Sequence, residues 1–229
     1  MTMDEVMRIS RLMMDSFWPL LKAGLLTTVP LTVISFGLGL IVAFLVALMR
    51  LSNIKPLSAL AAFYVWVIRG TPLIVQLFII FYGLPKIGIV YSPFVSAILG
   101  LTISQGAYNS EVIRAALLSI SKGQWEATKS LGMNKRMTLA YIIVPQAALV
   151  AVPSLGNSFI SLLKDTSLVA TLTVAEVFQI GQQIVAVTYE PLWLYIEVGF
   201  IYLLFSTALT YLQAYMEGRL GKHIVAQKS

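Results

Sequence analysis

AGLLTTVPLTVISFGLGLIVAFLVALM, running from Ala23 to Met49, contains no charged residue, and its reading decides the class of the molecule. An α-helix rises about 1.5 Å per residue, so roughly 20 predominantly apolar residues cross the hydrocarbon of a bilayer. This run is long enough. Working outward, the stretches Leu57–Ile68 with Gly70–Pro85, Ile87–Ser110, Met137–Leu163 and Val198–Met216 repeat the pattern. The second reaches a spanning length only if Arg69 lies inside the membrane. The sequence therefore predicts an all-α integral membrane bundle of five transmembrane helices, over residues 20–49, 57–83, 93–117, 138–163 and 192–215.

Composition agrees. Of 229 residues, 58% are apolar and 11% charged, and the mean hydropathy is +0.85. A soluble domain carries about 25% charged residues, so these values exclude an ordinary soluble enzyme, a disordered chain and a nucleic-acid-binding domain. The formal charge of +6 reports orientation in the bilayer before it reports an anionic partner. The chain has no cysteine and a single histidine, His223. Disulfides, thiolate chemistry, histidine triads and two-histidine metal sites are excluded, and no metal site or catalytic residue is expected.

Lysine and arginine placement sets the topology. With the C-terminus inside, ten basic residues are cytoplasmic: Arg50, Lys55, Arg114, Lys122, Lys129, Lys135, Arg136, Arg219, Lys222 and Lys228. Five are outside, namely Arg8, Arg11, Lys22, Lys86 and Lys164. The positive-inside tendency then predicts the N-terminus outside and the C-terminus cytoplasmic. Residues 1–18 place Asp4, Arg8, Arg11 and Asp15 on one helical face and Met3, Val6, Ile9, Met13 and Phe17 on the other. Such a helix lies in the membrane interface or packs on the spans, and Trp18 suits headgroup depth before the chain turns inward. No cleavable signal peptide is expected, because this segment lacks a continuous apolar core.

Polar residues inside a membrane need a reason. Arg69 falls near mid-depth, where insertion costs about 2.5–3.5 kcal/mol, and it opens Arg69-Gly70-Thr71-Pro72. Proline removes a backbone donor and glycine tolerates the bend, so a broken helix is predicted here. Such breaks border transport sites, but a kinked structural helix with a paired arginine reads the same way. Gln105 and Asn109 lie one turn apart, and Glu111 stands three residues before Arg114, which suits a local ion pair. The two amides can join helices or touch a solute. Ser154, Asn157, Ser158, Ser161 and Asp165 form a polar stripe, suited to a watery lining or to a tight helix seam.

The segment between the third and fourth spans, about residues 119–136, is the most informative. Ser121 with Gln124 forms a weak capping box, Gln124–Leu131 reads as a short helix, and Gly132 suits the left-handed position that ends it. Trp125 gives this helix an apolar anchor. It is either a knob for a groove on a cytosolic protein, with the aromatic as hot spot, or a helix lying on the headgroups.

Glu126-Ala127-Thr128-Lys129-Ser130-Leu131-Gly132, nine residues, then Ile142-Ile143-Val144-Pro145 resembles the EAA loop of ATP-binding-cassette (ABC) importer permeases. Thr128 stands where the family usually has alanine, and Val144 where leucine is common. Arg69-Gly70-Thr71-Pro72-Leu73, Gln76-Leu77-Phe78, Ala107-Tyr108 with Glu111 and Arg114, and Ser119 to Ala127 resemble the polar amino-acid branch. So do Pro145-Gln146-Ala147 and Asn157 to Leu168. Phe78 to Pro85 and Ser161 to Leu168 are most similar to the cystine permeases.

The resemblance, covering about residues 20–215, implies a type I importer transmembrane domain at 19–215. It would be preceded by the interfacial helix at 1–18 and followed by a cytoplasmic tail at 216–229. It implies a bacterial plasma-membrane permease for polar amino acids, most closely L-cystine. The implied partners are a second permease subunit (an identical one), two ATP-binding subunits, an extracellular or periplasmic binding protein, and the lipid bilayer. ATP and magnesium would be bound by the partner ATPase, since this chain has no phosphate-binding glycine-rich loop. Gln124, Trp125, Glu126, Ala127, Leu131 and Gly132 would couple to that ATPase. Arg69, Gln105, Asn109, Asn157, Ser161 and Asp165 are candidates for the substrate path. Asp165 would accept an ammonium and Arg69 donate to a carboxylate. The alternatives are an ion-coupled secondary amino-acid transporter, which predicts internal repeats, and a non-transporting membrane anchor.

Overall fold

The structure, a computed structural model, describes residues 2–225, with side chains as far as Arg219. Residues 226–229 of the expected tail, Lys228 among them, lie outside the described residues, as do the side chains of Lys222 and His223. All regular structure among the described residues is helical: α1 (Met3–Ala23), α2 (Val29–Arg50), α3 (Lys55–Gly70), α4 (Leu73–Phe78), α5 (Pro93–Ser119), α6 (Lys122–Ser130), α7 (Lys135–Met137), α8 (Val144–Asp165), α9 (Val177–Thr188) and α10 (Pro191–Val225).

Three helical runs are long and apolar enough to cross a membrane, Met3–Arg50, Lys135–Leu172 and Pro191–Arg219, and a fourth if Lys55–Gly70 with Leu73–Ile87 counts as one broken span. The break predicted around Arg69 is present. Helix α3 stops at Gly70, Thr71 and Pro72 are extended (φ −120°, ψ 146° and φ −64°, ψ 137°), and α4 restarts at Leu73. Helix α5 is 27 residues long but is not among the apolar spans. Ser96, Thr102, Ser104, Gln105, Asn109 and Ser110 dilute its hydropathy, and all six are buried. A helix that hides its polar atoms against protein can span without being uniformly apolar.

The turn expected after Trp18 is absent. Helix α1 runs into α2 through a π-helical turn at Gly24–Thr28. At Gly24 an added Cβ would lie 2.2 Å from the Phe205 ring of α10, so any larger residue would have to displace that ring. The first turn of α1 carries a capping box of Thr2 with Glu5, which the sequence reading passed over. Trp18 and Met3 are exposed, whereas Ile9, Ser16, Leu20 and Ala23 are buried, so α1 is at least in part a packing helix.

The chain divides into two compact units. The first comprises residues 1–36, 72–101 and 160–211. One of its cores gathers Leu31, Leu77, Leu101, Leu162, Val169 and Leu172, and another joins Leu20 of α1 to Val177 of α9 and to Val198 and Ile201 of α10. Polar ties hold the same helices: Arg8 pairs with Glu190, Ser16 donates to Glu197, and Tyr202 donates to Glu176. Glu176 also caps α9 by accepting from the Gln179 N–H at 2.8 Å.

The second unit comprises residues 37–71, 102–159 and 212–229. Its main core packs Ala116 and Leu117 of α5 against Ile143, Ala147 and Ala151. Small residues suit this contact, because helices in lipid associate by close packing rather than by escape from water. Gly106 shows the same logic, since a Cβ there would meet Val42 at 2.6 Å and the Tyr64 hydroxyl at 2.8 Å. The Tyr64 hydroxyl donates to the Ile103 carbonyl at 2.6 Å.

Candidate coupling surface and polar path

Helix α6 is built from local rules at one end and tertiary ones at the other. Its C-terminus closes in the paired hydrogen-bond motif that satisfies the last carbonyls. The Gly132 N–H donates to Lys129 O at 2.9 Å and the Met133 N–H to Thr128 O at 3.0 Å, with Gly132 at φ +71°. Asn134 then caps α7 by accepting from the Met137 N–H at 3.0 Å. At its start the anticipated capping box does not form. Ser121 precedes the helix without a side-chain cap. The Gln124 side chain accepts instead from the Gln146 amide at 3.3 Å, a partner 22 residues away that no local pattern announces.

Trp125 does not project as the aromatic hot spot. It is half-buried and packs with the core of Ala116, Leu117, Ile143, Ala147 and Ala151. The buried Thr128 hydroxyl donates to the Trp125 carbonyl at 3.0 Å. Gln124, Glu126 and Ala127 face outward, and Leu131 is 78% exposed. The surface that α6 offers is thus polar and of mixed charge, Glu126 lying between the exposed Lys122 and Lys129, with one leucine at its end.

In the second unit, α3 and α5 place several of the polar-path candidates. Arg69 is exposed at the end of α3, with its guanidinium 5.3 Å from the centroid of the Tyr108 ring. Gln105 and Asn109 are buried and bonded, Asn109 Nδ2 donating to Gln105 Oε1 at 3.0 Å. Gln105 packs so close to Gly39 that an added Cβ would lie 2.8 Å away. That bond runs within α5, one turn apart, and leaves Asn109 Oδ1 buried without a hydrogen-bond partner among the described residues. Glu111 holds Arg114 in a bidentate pair, closest at 2.8 Å, and its other oxygen lies 3.5 Å from Nε of Arg50. Arg50 was not foreseen, because it comes from the far end of another helix.

Along α8, Asn157 is exposed and receives a long contact of 3.4 Å from Gln213 of α10. Gln213 also donates to the Pro153 carbonyl at 3.2 Å and to Glu217 at 2.8 Å. Gly156 makes room for it, since a Cβ there would be 2.6 Å from the Gln213 carboxamide. Gln213, like Arg50, is a residue that sequence reasoning missed. Ser161 and Asp165 continue α8 into the first unit. Ser161 is exposed, and Asp165 is half-buried with no ion pair or hydrogen bond to its carboxylate among the described residues. The described residues hold no cluster of three or more His, Cys, Asp or Glu that could bind a metal ion.

Residues 35–222 match the family described as the inner membrane component of binding-protein-dependent transport systems. The chain belongs to that family. The permease is 46% identical over 214 residues to the L-cystine transport system permease protein TcyB of Bacillus subtilis, covering 93% of this chain and 92% of the relative. It is 39% identical to the nopaline transport system permease protein NocM of Agrobacterium fabrum, over 95% of this chain and 94% of that one. Among solved structures, an amino acid ABC transporter crystallised with histidines superposes with TM-score 0.83 at 37% identity, over 90% of this chain and 96% of that chain. The inward-facing MetNI methionine transporter gives TM-score 0.72 at 20% identity, a likeness of fold. The permease is thus a multi-pass membrane component of an ABC importer of the polar amino-acid branch, with a type I importer fold. The family assigns it transport rather than catalysis, and implies ATPase and binding-protein partners.

Proposed function

We propose that the permease forms the translocation path of an ATP-driven L-cystine importer. The observation that carries this is the 46% identity to an L-cystine permease along almost the whole of both chains. In this reading two identical copies form the path, two ATPases dock on the cytoplasmic side, and a secreted binding protein delivers the amino acid. The N-terminus is outside and the C-terminus cytoplasmic.

The chemistry of the residues supports that substrate class. L-Cystine carries two ammonium and two carboxylate groups, so its path needs both acceptors and donors. Asp165 offers a carboxylate unpaired among the described residues, Arg69 an exposed guanidinium, and Asn157 and Ser161 exposed neutral partners. The rigidly terminated α6 carries the coupling. A partner can shift the permease between states only through a contact whose free energy differs between them. Glu126, Ala127 and Leu131 supply that contact, while Trp125 and Gly132 fix the helix that presents them.

Proteoliposomes containing the permease, its ATPase and the binding protein test the reading with radiolabelled L-cystine. Uptake that requires ATP and persists with a proton ionophore is expected. ATP-dependent uptake of another amino acid with none of cystine overturns the substrate, and uptake that follows an ion gradient overturns the mechanism.

A further inference from the structure

At the root of α6 the second unit forms a half-open cavity of about 700 Å³. Leucines, isoleucines and Trp125 form most of its wall, Ser52 and Asn53 add neutral polar groups, and Lys122 and Lys135 are its only charged lining among the described residues. The lysines come from separate helices, α6 and α7, yet reach one cavity. Neither is held in an ion pair among the described residues.

A half-open, largely apolar cavity with two unpaired ammonium groups and no acid among its described lining residues matches an amphiphilic anion. A free phosphate would leave the leucine walls unused, and a neutral hydrocarbon would leave the lysines without a counter-charge. Basic pockets at the cytoplasmic ends of membrane helices suit anionic lipid headgroups. Leu48, Leu51 and Leu117 stand where α2 and α5 end, at the inner boundary in the orientation proposed above, on which this inference rests. We propose that the cavity holds one anionic phospholipid of the cytoplasmic leaflet, its phosphate at Lys122 and Lys135 and an acyl chain along the leucines. Because Lys122 and Trp125 belong to α6, the bound lipid braces the coupling helix against the spans.

Trp125 reports occupancy directly. The full-length permease carrying Trp18→Phe, Trp66→Phe and Trp193→Phe, assembled with its ATPase in vesicles, retains Trp125 as its own sole tryptophan; an ATPase preparation lacking tryptophan keeps the signal specific. Phosphatidylglycerol brominated on its acyl chains is compared with equally brominated phosphatidylcholine. Phosphatidylglycerol is expected to quench Trp125 more strongly, with its preference falling about fivefold for each lysine replaced in Lys122→Gln and Lys135→Gln. The Lys122→Arg and Lys135→Arg variants, which keep the charge, retain it. Equal quenching by both lipids, a preference indifferent to Lys→Gln, or no quenching because protein covers the cavity would each overturn the lipid site. Uptake and topology are measured separately, so loss of transport with lipid preference intact counts against the importer reading alone.

Discussion

Gly132 sits at φ +71° with nothing within 4 Å of the place a Cβ would occupy. Its requirement is therefore conformational rather than steric. A non-glycine residue in this region costs about 1–2 kcal/mol, and β-branching makes the position worse. Gly132→Val is expected to keep the bundle folded but unwind the end of α6, lowering ATP-driven uptake more than permease abundance; Gly132→Ala should lie between. Normal uptake and normal co-purification of the ATPase in the valine variant would contradict the coupling role. Asp165 presents a different case, a carboxylate with no ion pair or hydrogen bond among the described residues. Asp165→Asn is expected to raise the KM for cystine uptake at unchanged expression, measured with radiolabelled substrate. A wild-type KM and rate would remove Asp165 from the path.

Helix α6 separates two jobs that its sequence presents together. Trp125 packs in part on the chain's own core, so Trp125→Ala strips packing from beneath the helix and widens the cavity there. Full burial would set the cost at about 3–5 kcal/mol, and half-burial reduces it. The expected result is a lower melting temperature together with weaker ATPase coupling. Leu131, at 78% exposure, touches little of its own chain, so Leu131→Ala should leave the melting temperature unchanged and still weaken ATPase association. Binding measured by co-purification, beside thermal unfolding in detergent, distinguishes the two. The break between α3 and α4 belongs to the same scale. It was legible because Gly70, Thr71 and Pro72 act on their own backbone: proline cannot donate to the helix, and its preceding residue is driven toward extended geometry. The start of α6 was misread because Gln124 has two acceptable partners, a local one at Ser121 and a distant one at Gln146, and packing selected the second.

At the scale of the molecule, the absence of cysteine offers a direct test of orientation. With the N-terminus outside, a Ser121→Cys variant should react with an impermeant maleimide only in inverted vesicles, and Lys86→Cys only in intact cells. The reverse labelling would invert the topology. Apolar runs, the glycine and proline punctuation, and the EAA-type loop determined class, helical content and family from sequence alone. These signals are local or periodic, and a bilayer enforces them, since unsatisfied backbone in lipid is prohibitively costly. Tertiary structure decided how the polar residues of the spans are matched. It gave Glu111 to both Arg114 and Arg50, placed Arg69 over Tyr108, set Gln213 against Gly156, and turned Trp125 inward. Sequence spacing ranks neighbours along one helix. It carries no information about which residue of another helix arrives within 3–4 Å, and at that range the hydrogen bonds and ion pairs are made.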